Sequence, residues 1–482
     1  MTALLKPVYF LTLLSMVASA FAENDHIVWQ EVMLAGDKLG YRQIQRRLVE
    51  STVQTTETLV LTLQQPGEDP RQTETVMRYV ESLEGQPLAL EKHLRSASAN
   101  HTMSARVKGG RLHIARGNDG SRQHGKHKLP QDFLLREGVR QALLAQKGNE
   151  RNLTYSSWNF AESKFERYQL RASRLPAEEK HQWRLERENL SAADGRLTEL
   201  SANSEFDILE ERSTLGGDEL ILRACDKACA LADFYPVTHV YRSLLRAPVK
   251  ISEAALRGKV RYVLGGDFDI TPPETGEQHV RSTNQGWQID VCETCGQEAV
   301  ASEAELQQSL QSSYWIAADH SEIQTRVSDL LGRDIKRVPS PDAVADMKIL
   351  TRFVEQHMDK QPDYSGYATA LEAYTTGKGD CTEHALLLAS MARAAGIPAR
   401  IAVGLAYNND RFMGRKYVFV PHAWVQVWTG ERWQSFDSGL GAFHAGYIVL
   451  GFSGGELSDT VRINQQLHRI QIVSAVQVLS RD

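Results

Sequence analysis

Beyond the N-terminal segment the chain has no apolar run long enough to span a membrane, and its net charge is only −5. It also has no basic patch interleaved with aromatics, so nucleic-acid binding finds no support. No internal repeat and no low-complexity linker occurs, so composition marks no domain boundary. Cysteine is scarce, five in 482 residues. What is present is ordinary globular chemistry, 42% hydrophobic and 24% charged, at a length that calls for two or three domains.

The one strongly apolar segment opens the chain. Lys6 supplies positive charge, Val8 to Ala18 is apolar, and Ala20-Phe21-Ala22 is a small-x-small cleavage site before Glu23. This reads as an export signal over residues 1–22, with an uncleaved anchor as the alternative, and the expected location is the periplasm. The apolar run is shorter than the roughly 20 residues a spanning helix needs, so no stable span is expected after cleavage. No cysteine lies near the cleavage site to carry a lipid. Export changes how Cys225, Cys229, Cys292 and Cys295 are read, because thiols outside the cytosol oxidise. The C-x3-C and C-x2-C spacings fit two disulfides, joining the two segments or closing each small loop; a four-thiolate zinc knuckle fits the same spacings.

The chemistry concentrates near the C-terminus. Gly377-Lys378-Gly379-Asp380-Cys381-Thr382-Glu383-His384 leads into an apolar stretch, Ala385 to Ala395, that Gly396-Ile397-Pro398 ends. This predicts a buried helix with Cys381 at its start, where unpaired N–H groups favour thiolate and lower the thiol pKa. Glu383 and His384 beside Cys381 do not make a metal site, because consecutive helix positions point in different directions. Downstream, Ile401 to Tyr407 reads as a strand, and His422 to Trp428 followed by Trp433 to Asp437 as a hairpin. If Trp428 pairs with Glu431, His422 lies opposite Asp437; if it pairs with Arg432, the partner is Ser438. Opposed residues have Cβ atoms about 5 Å apart, so Asp437 can reach the imidazole.

These blocks resemble the transglutaminase-like superfamily: Gly379 to Ala385, Arg393 to Arg400, His422 to Val425, and Trp433 to Asp437 stand in the family's order, within a region from about 315 to 445. The resemblance implies a papain-type core, with Cys381 as nucleophile, His422 as base and then acid, and Asp437 as orienting group. It implies a thiol enzyme acting on amide bonds of a peptide or protein substrate through a thioester, resolved by water or by an amine; export is expected from the N-terminal signal, and no cofactor or metal is assigned. The Cys381 N–H is one oxyanion donor. An upstream side chain supplies the second in this family, and Trp315, Tyr364, Tyr367 and Tyr374 are available. The alternative is a non-catalytic periplasmic binding protein that captures a partner with its β region.

The fold class expected is α+β. A mainly β region covers 23–240, broken by a helix over Gln131 to Leu144; a small β module or connector covers 241–310; the catalytic domain covers 311–482. Helices are expected over Glu303 to Leu310, Ser321 to Leu331 and Asp342 to Met358. The basic, glycine-rich stretch from Arg111 to Lys128 reads as a solvated loop.

Overall fold

In a computed structural model, residues 25–63, 70–96, 99–117, 123–161, 163–176, 181–192, 197–215, 217–234, 244–338, 340–359, 367–410, 412 and 415–479 are described. Residues 1–22, where an export signal is expected, lie outside them, as do Tyr364 and Arg122. The fold is α+β.

Apolar and polar residues alternate through the first half of the chain, and that period-2 pattern folds into one fourteen-stranded antiparallel sheet. Its strands are β1 (His26–Leu34), β2 (Asp37–Val49), β3 (Thr52–Leu63), β4 (Arg71–Ser82), β5 (Pro87–Arg95), β6 (Asn100–Lys108), β7 (Arg111–Arg116) and β8 (Gln123–Lys128), then β9 (Glu150–Asn159), β10 (Lys164–Arg174), β11 (Trp183–Asn189), β12 (Leu197–Ala202), β13 (Ile208–Leu215) and β14 (Asp218–Cys225). The first strand, β1, joins the two halves by pairing with both β2 and β14, which leaves β8 and β9 at the ends. The chain then closes the roll itself. After β8, Ser156 of β9 takes a bridge to Phe133, donates to the Asp132 carbonyl and accepts from the Leu134 N–H.

Helix α1 (Arg136–Leu144) follows at once and packs against β3, β4 and β9. It is shorter than the sequence pattern predicts because residues 132–134 are spent on pairing with β9. The stretch from Arg111 to Lys128 is also not a loop. It forms the β7–β8 hairpin, in which Leu112 and Ile114 point into the core.

Two smaller sheets follow. Helix α2 (Lys227–Leu231), strand β15 (Leu245–Arg246) and helix α3 (Glu253–Arg257) lead into β16 (Val260–Gly266), β17 (Gln278–Thr283) and β18 (Gly286–Val291). Helices α4 (Glu303–Gln308), α5 (Ser321–Leu331), α6 (Ala343–His357), α7 (Ala370–Thr376) and α8 (Cys381–Ala394) precede β19 (Ala399–Asn408), β20 (Val418–Trp428), β21 (Trp433–Phe436), β22 (Tyr447–Ser453), α9 (Leu457–Asn464) and β23 (Ile470–Gln477). One sheet runs β15-β20-β19-β22 with β21 beside β20; the other runs β17-β18-β16-β23, so the last strand of the chain completes a sheet begun two hundred residues earlier.

Helix α8 lies at the centre of the C-terminal half, against β19, β20, α5, α6 and α7. Every residue from Ala385 to Arg393 is buried, as an almost uninterrupted apolar sequence requires. Cys225 and Cys229 form a disulfide, while Cys292 and Cys295 are free thiols beside each other. With the first pair joined, a four-thiolate knuckle is not formed, and among the described residues no cluster suited to a metal occurs.

Candidate active site

Cys381 stands as the first residue of α8, and the loop before it is built around one carboxylate. Asp380 caps the helix by accepting from the Thr382 N–H at 2.7 Å, and Glu383 reaches back to accept from the N–H groups of Asp380 and Ala368, both at 2.8 Å. This reciprocal cap satisfies donors that a helix start leaves unpaired. Gly379 passes over the Glu383 side chain with φ of +149°, and a Cβ there would lie 2.3 Å from Glu383 Cβ. Glycine alone fits. Burial, followed by the charge of neighbouring Asp380, pushes the Glu383 carboxyl well above its usual range.

His422 and Asp437 come from β20 and the end of β21. The ladder pairs Trp428 with Trp433 and Val425 with Phe436, so neither register considered from the sequence holds. Four residues, Thr429 to Arg432, make the turn, and the strand ends one residue before Asp437. Leaving the ladder lets Asp437 turn back: its Oδ2 lies 2.7 Å from His422 Nε2. The carboxylate also accepts from the Tyr447 hydroxyl at 2.6 Å, from the Gly439 N–H at 2.7 Å and from the Leu440 N–H at 3.2 Å. Burial alone would raise its pKa, but the imidazole and these donors outweigh it and hold Asp437 below the usual carboxylate range.

The imidazole itself is held between rings. It stacks on Trp424 at 5.9 Å and meets Tyr447 edge-on at 5.8 Å. Trp424 is in turn fixed by donation from Nε1 to Ser435 Oγ at 3.0 Å, and Ser435 is gripped by Glu277, which accepts from both its N–H and its hydroxyl. Glu277 thus reaches from the β16–β18 sheet to the residues under the imidazole. Its burial pushes its own carboxyl up to about 7.

Cys381, His422 and Asp437 meet at one place. A Cβ placed on Gly439 would stand 3.5 Å from His422 Cε1, 3.4 Å from Asp437 Oδ1 and 4.0 Å from Cys381 Cα. Cys381 and His422 open onto a cleft of about 700 Å³, whose other walls include Leu244, Met358, Phe412, Pro421, Leu440 and Asn464. His384 also faces it, with Nδ1 3.1 Å from Ser438 Oγ and a pKa brought down by burial to about 4.

The sulfur differs from the sequence expectation. Burial first, then the charges of Asp380, Glu383 and Asp437, push the thiol well above its ordinary pKa; only the Ala423 N–H beside it acts the other way. The helix start therefore does not ionise Cys381 unaided. The upstream aromatics are also elsewhere: Trp315 donates to Glu456, Tyr367 to the Gly455 carbonyl, and the Tyr374 hydroxyl accepts from Arg326. None of the three lines the cleft. Tyr447, which does hold Asp437, has no local signal in the sequence, whereas Asp437-x-Gly439 carries the pattern of a side chain that caps its own following turn.

The blocks carrying these groups match a known family model. Residues 331–438 match the model of the Transglutaminase-like superfamily. An uncharacterised protein of Mycobacterium leprae (strain TN) is 28% identical over 116 residues, 24% of this chain and 40% of that protein. The chain thus spans less than half the length of that curated relative. Among solved structures, a Cytophaga hutchinsonii protein provisionally named a cysteine protease is 15% identical with a TM-score of 0.28, covering 46% of this chain and 84% of its own. A β-barrel-like protein from Brucella abortus, of a domain of unknown function, is 11% identical with a TM-score of 0.33, covering 42% and 96%. The matched segment ends one residue beyond Asp437, so β22, with Tyr447, lies outside it.

Proposed function

We propose that the chain is an exported thiol enzyme that cleaves or transfers acyl groups at peptide or protein amides, with Cys381 as nucleophile, His422 as base and acid, and Asp437 as orienting group. The observation that carries this is the buried His422–Asp437 hydrogen bond facing the same cleft as Cys381. Asp437 occupies Nε2, so Nδ1 is the nitrogen left to serve the sulfur. Because the isolated thiol is held protonated, activation consists of moving its proton to His422, and the four donors on Asp437 keep it ionised to stabilise the imidazolium.

The thiolate adds to the amide carbonyl carbon. The helix-start N–H of Cys381 faces the developing oxyanion, the imidazolium gives its proton to the departing amine, and a thioester remains. His422 then takes a proton from water or from an incoming amine, whose attack releases the acyl group and returns the thiol. Among the described residues the cleft is lined by Glu355, Asp359 and Asp380 and by no lysine or arginine, which favours neutral or cationic substrates over acidic ones.

The test is the rate of iodoacetamide alkylation of Cys381 against pH in the mature chain. Wild type is expected to react rapidly well below pH 8.5, and His422→Ala only slowly with an alkaline profile. An ordinary thiol titration in both proteins would reject the enzyme reading. Incubating active protein with a glutamine peptide and a primary amine then separates transfer from hydrolysis. For export, the periplasmic fraction should contain a chain starting at Glu23; a full-length chain retained in the cytosol would count against it.

A further inference from the structure

We propose that the rolled N-terminal sheet is a second binding site, for a small apolar molecule carrying an anionic oxygen group such as a carboxylate. Helix α1 does not fill the roll. Its start is pinned by Glu81, which accepts from the Glu137 and Gly138 N–H groups at 2.7 and 2.8 Å. Beside the helix remains a cavity of about 420 Å³, within the range of small-molecule pockets. Ile44, Met77, Leu134, Phe160, Leu170 and Leu185 give it apolar walls.

The polar groups on those walls divide into two kinds. The arginines are all answered: Arg46 and Arg140 by Glu137, Arg136 by Glu57 and Arg187 by Glu211. Lys92 is not. It follows Glu57 and Met77 across β3, β4 and β5, and no carboxylate or other acceptor partners its ammonium among the described residues. Burial is the one influence on it, and lowers its pKa.

Trp158 supplies the second unmet group. Its ring lines the same cavity and is buried between His127 and Phe165, and its indole N–H has no acceptor among the described residues. An ammonium without an anion and a buried donor without an acceptor are costly to leave unpaired. Both are answered by a ligand whose apolar body fills the cavity and whose oxygens bear negative charge. A neutral apolar ligand would satisfy neither, and a cationic one would be repelled by Lys92.

The experiment titrates the full-length mature chain with dodecanoate, dodecan-1-ol and dodecyltrimethylammonium below their micelle concentrations, by calorimetry. Dodecanoate should bind saturably, about tenfold or more tighter than the alcohol. Lys92→Met keeps the aliphatic stem and removes an unpaired charge, so it should fold with unchanged or raised Tm and lose that preference. Trp158→Phe should weaken dodecanoate several-fold. No saturable binding, or a preference for the carboxylate that survives Lys92→Met, overturns the proposal. Cys381→Ala should bind dodecanoate as wild type does, so this result and that of the thiol chemistry stand or fall separately.

Discussion

Asp437 is the residue on which the geometry of the cleft turns, since four donors converge on one buried carboxylate. A carboxylate so held is ionised in the folded chain at pH values where the unfolded chain takes up a proton. Its contribution to stability is therefore present above the unfolded pKa and lost as pH falls through the lower folded value. Tyr447→Phe removes one donor without disturbing the ring contacts. Stability should drop by about 1 to 3 kcal/mol, and turnover in the proposed amide chemistry by about tenfold, with the acid limb of the pH–rate profile moving upward as Asp437 becomes easier to protonate. Urea unfolding and a pH–rate series check both; an unchanged acid limb would show that the hydroxyl does not tune the carboxylate.

At the scale of elements, α8 and the β20–β21 hairpin are positioned by groups buried beneath them. Gly379→Ala would force a Cβ into Glu383 and strain a backbone with φ of +149°. The expected loss is about 2 kcal/mol or more, with slower Cys381 alkylation because the cap that presents the sulfur is displaced. Thermal unfolding and alkylation kinetics read the two effects. Glu277 beneath the hairpin has the opposite pH signature to Asp437. Its folded carboxyl titrates near 7 while an unfolded one titrates near 4.3, so the unfolded chain loses its proton first and stability falls as pH rises through that window. His384, brought down to about 4, works in the contrary direction over pH 4 to 6.5. The informative quantity is thus the difference between wild type and Glu277→Gln: wild-type stability relative to the variant should decline by about 3 kcal/mol from pH 4.5 to 7. A pH-independent difference would mean that Glu277 is ionised throughout.

For the whole molecule, the arrangement depends on pairings between distant parts of the chain. Strand β23 covers β16, whose Val260, Tyr262 and Leu264 are fully buried, and the Tyr262 hydroxyl donates to the Ala445 carbonyl just before β22. Deleting 470–482 should therefore do more than remove a tail. It exposes the β16 edge and removes the buried side chains of Ile470 and Ile472, at a cost of about 4 kcal/mol or more, and it loosens the segment that carries Tyr447. A lowered Tm together with a tendency to aggregate, measured by calorimetry and light scattering, is the expected result; a variant as stable as the full chain would show that β23 is dispensable.

Much of the local structure is written in the residues. Alternation identifies β3, β4, β16 and β18, periodicity identifies α5 and α6, and the Gly-Asp-Cys loop before an apolar run determines a buried helix with the thiol at its start, because each of these signals acts over a few neighbouring residues. The positions of Cys381, His422 and Asp437 are legible for the same reason. The register of the hairpin is not, since the turn residues Thr429 to Arg432 are compatible with more than one loop length and only the folded chain pairs Trp428 with Trp433, and α1 begins late because β9 competes for residues 132–134. Tertiary structure alone decided that the Tyr447 hydroxyl reaches Asp437, that Glu277 supports the residues under the imidazole, and that the upstream aromatics stay out of the cleft. It also decided the sign of the shift on Cys381: sequence locates the helix start, but burial and nearby carboxylates, which depend on how distant segments pack, set the cost of ionising the sulfur.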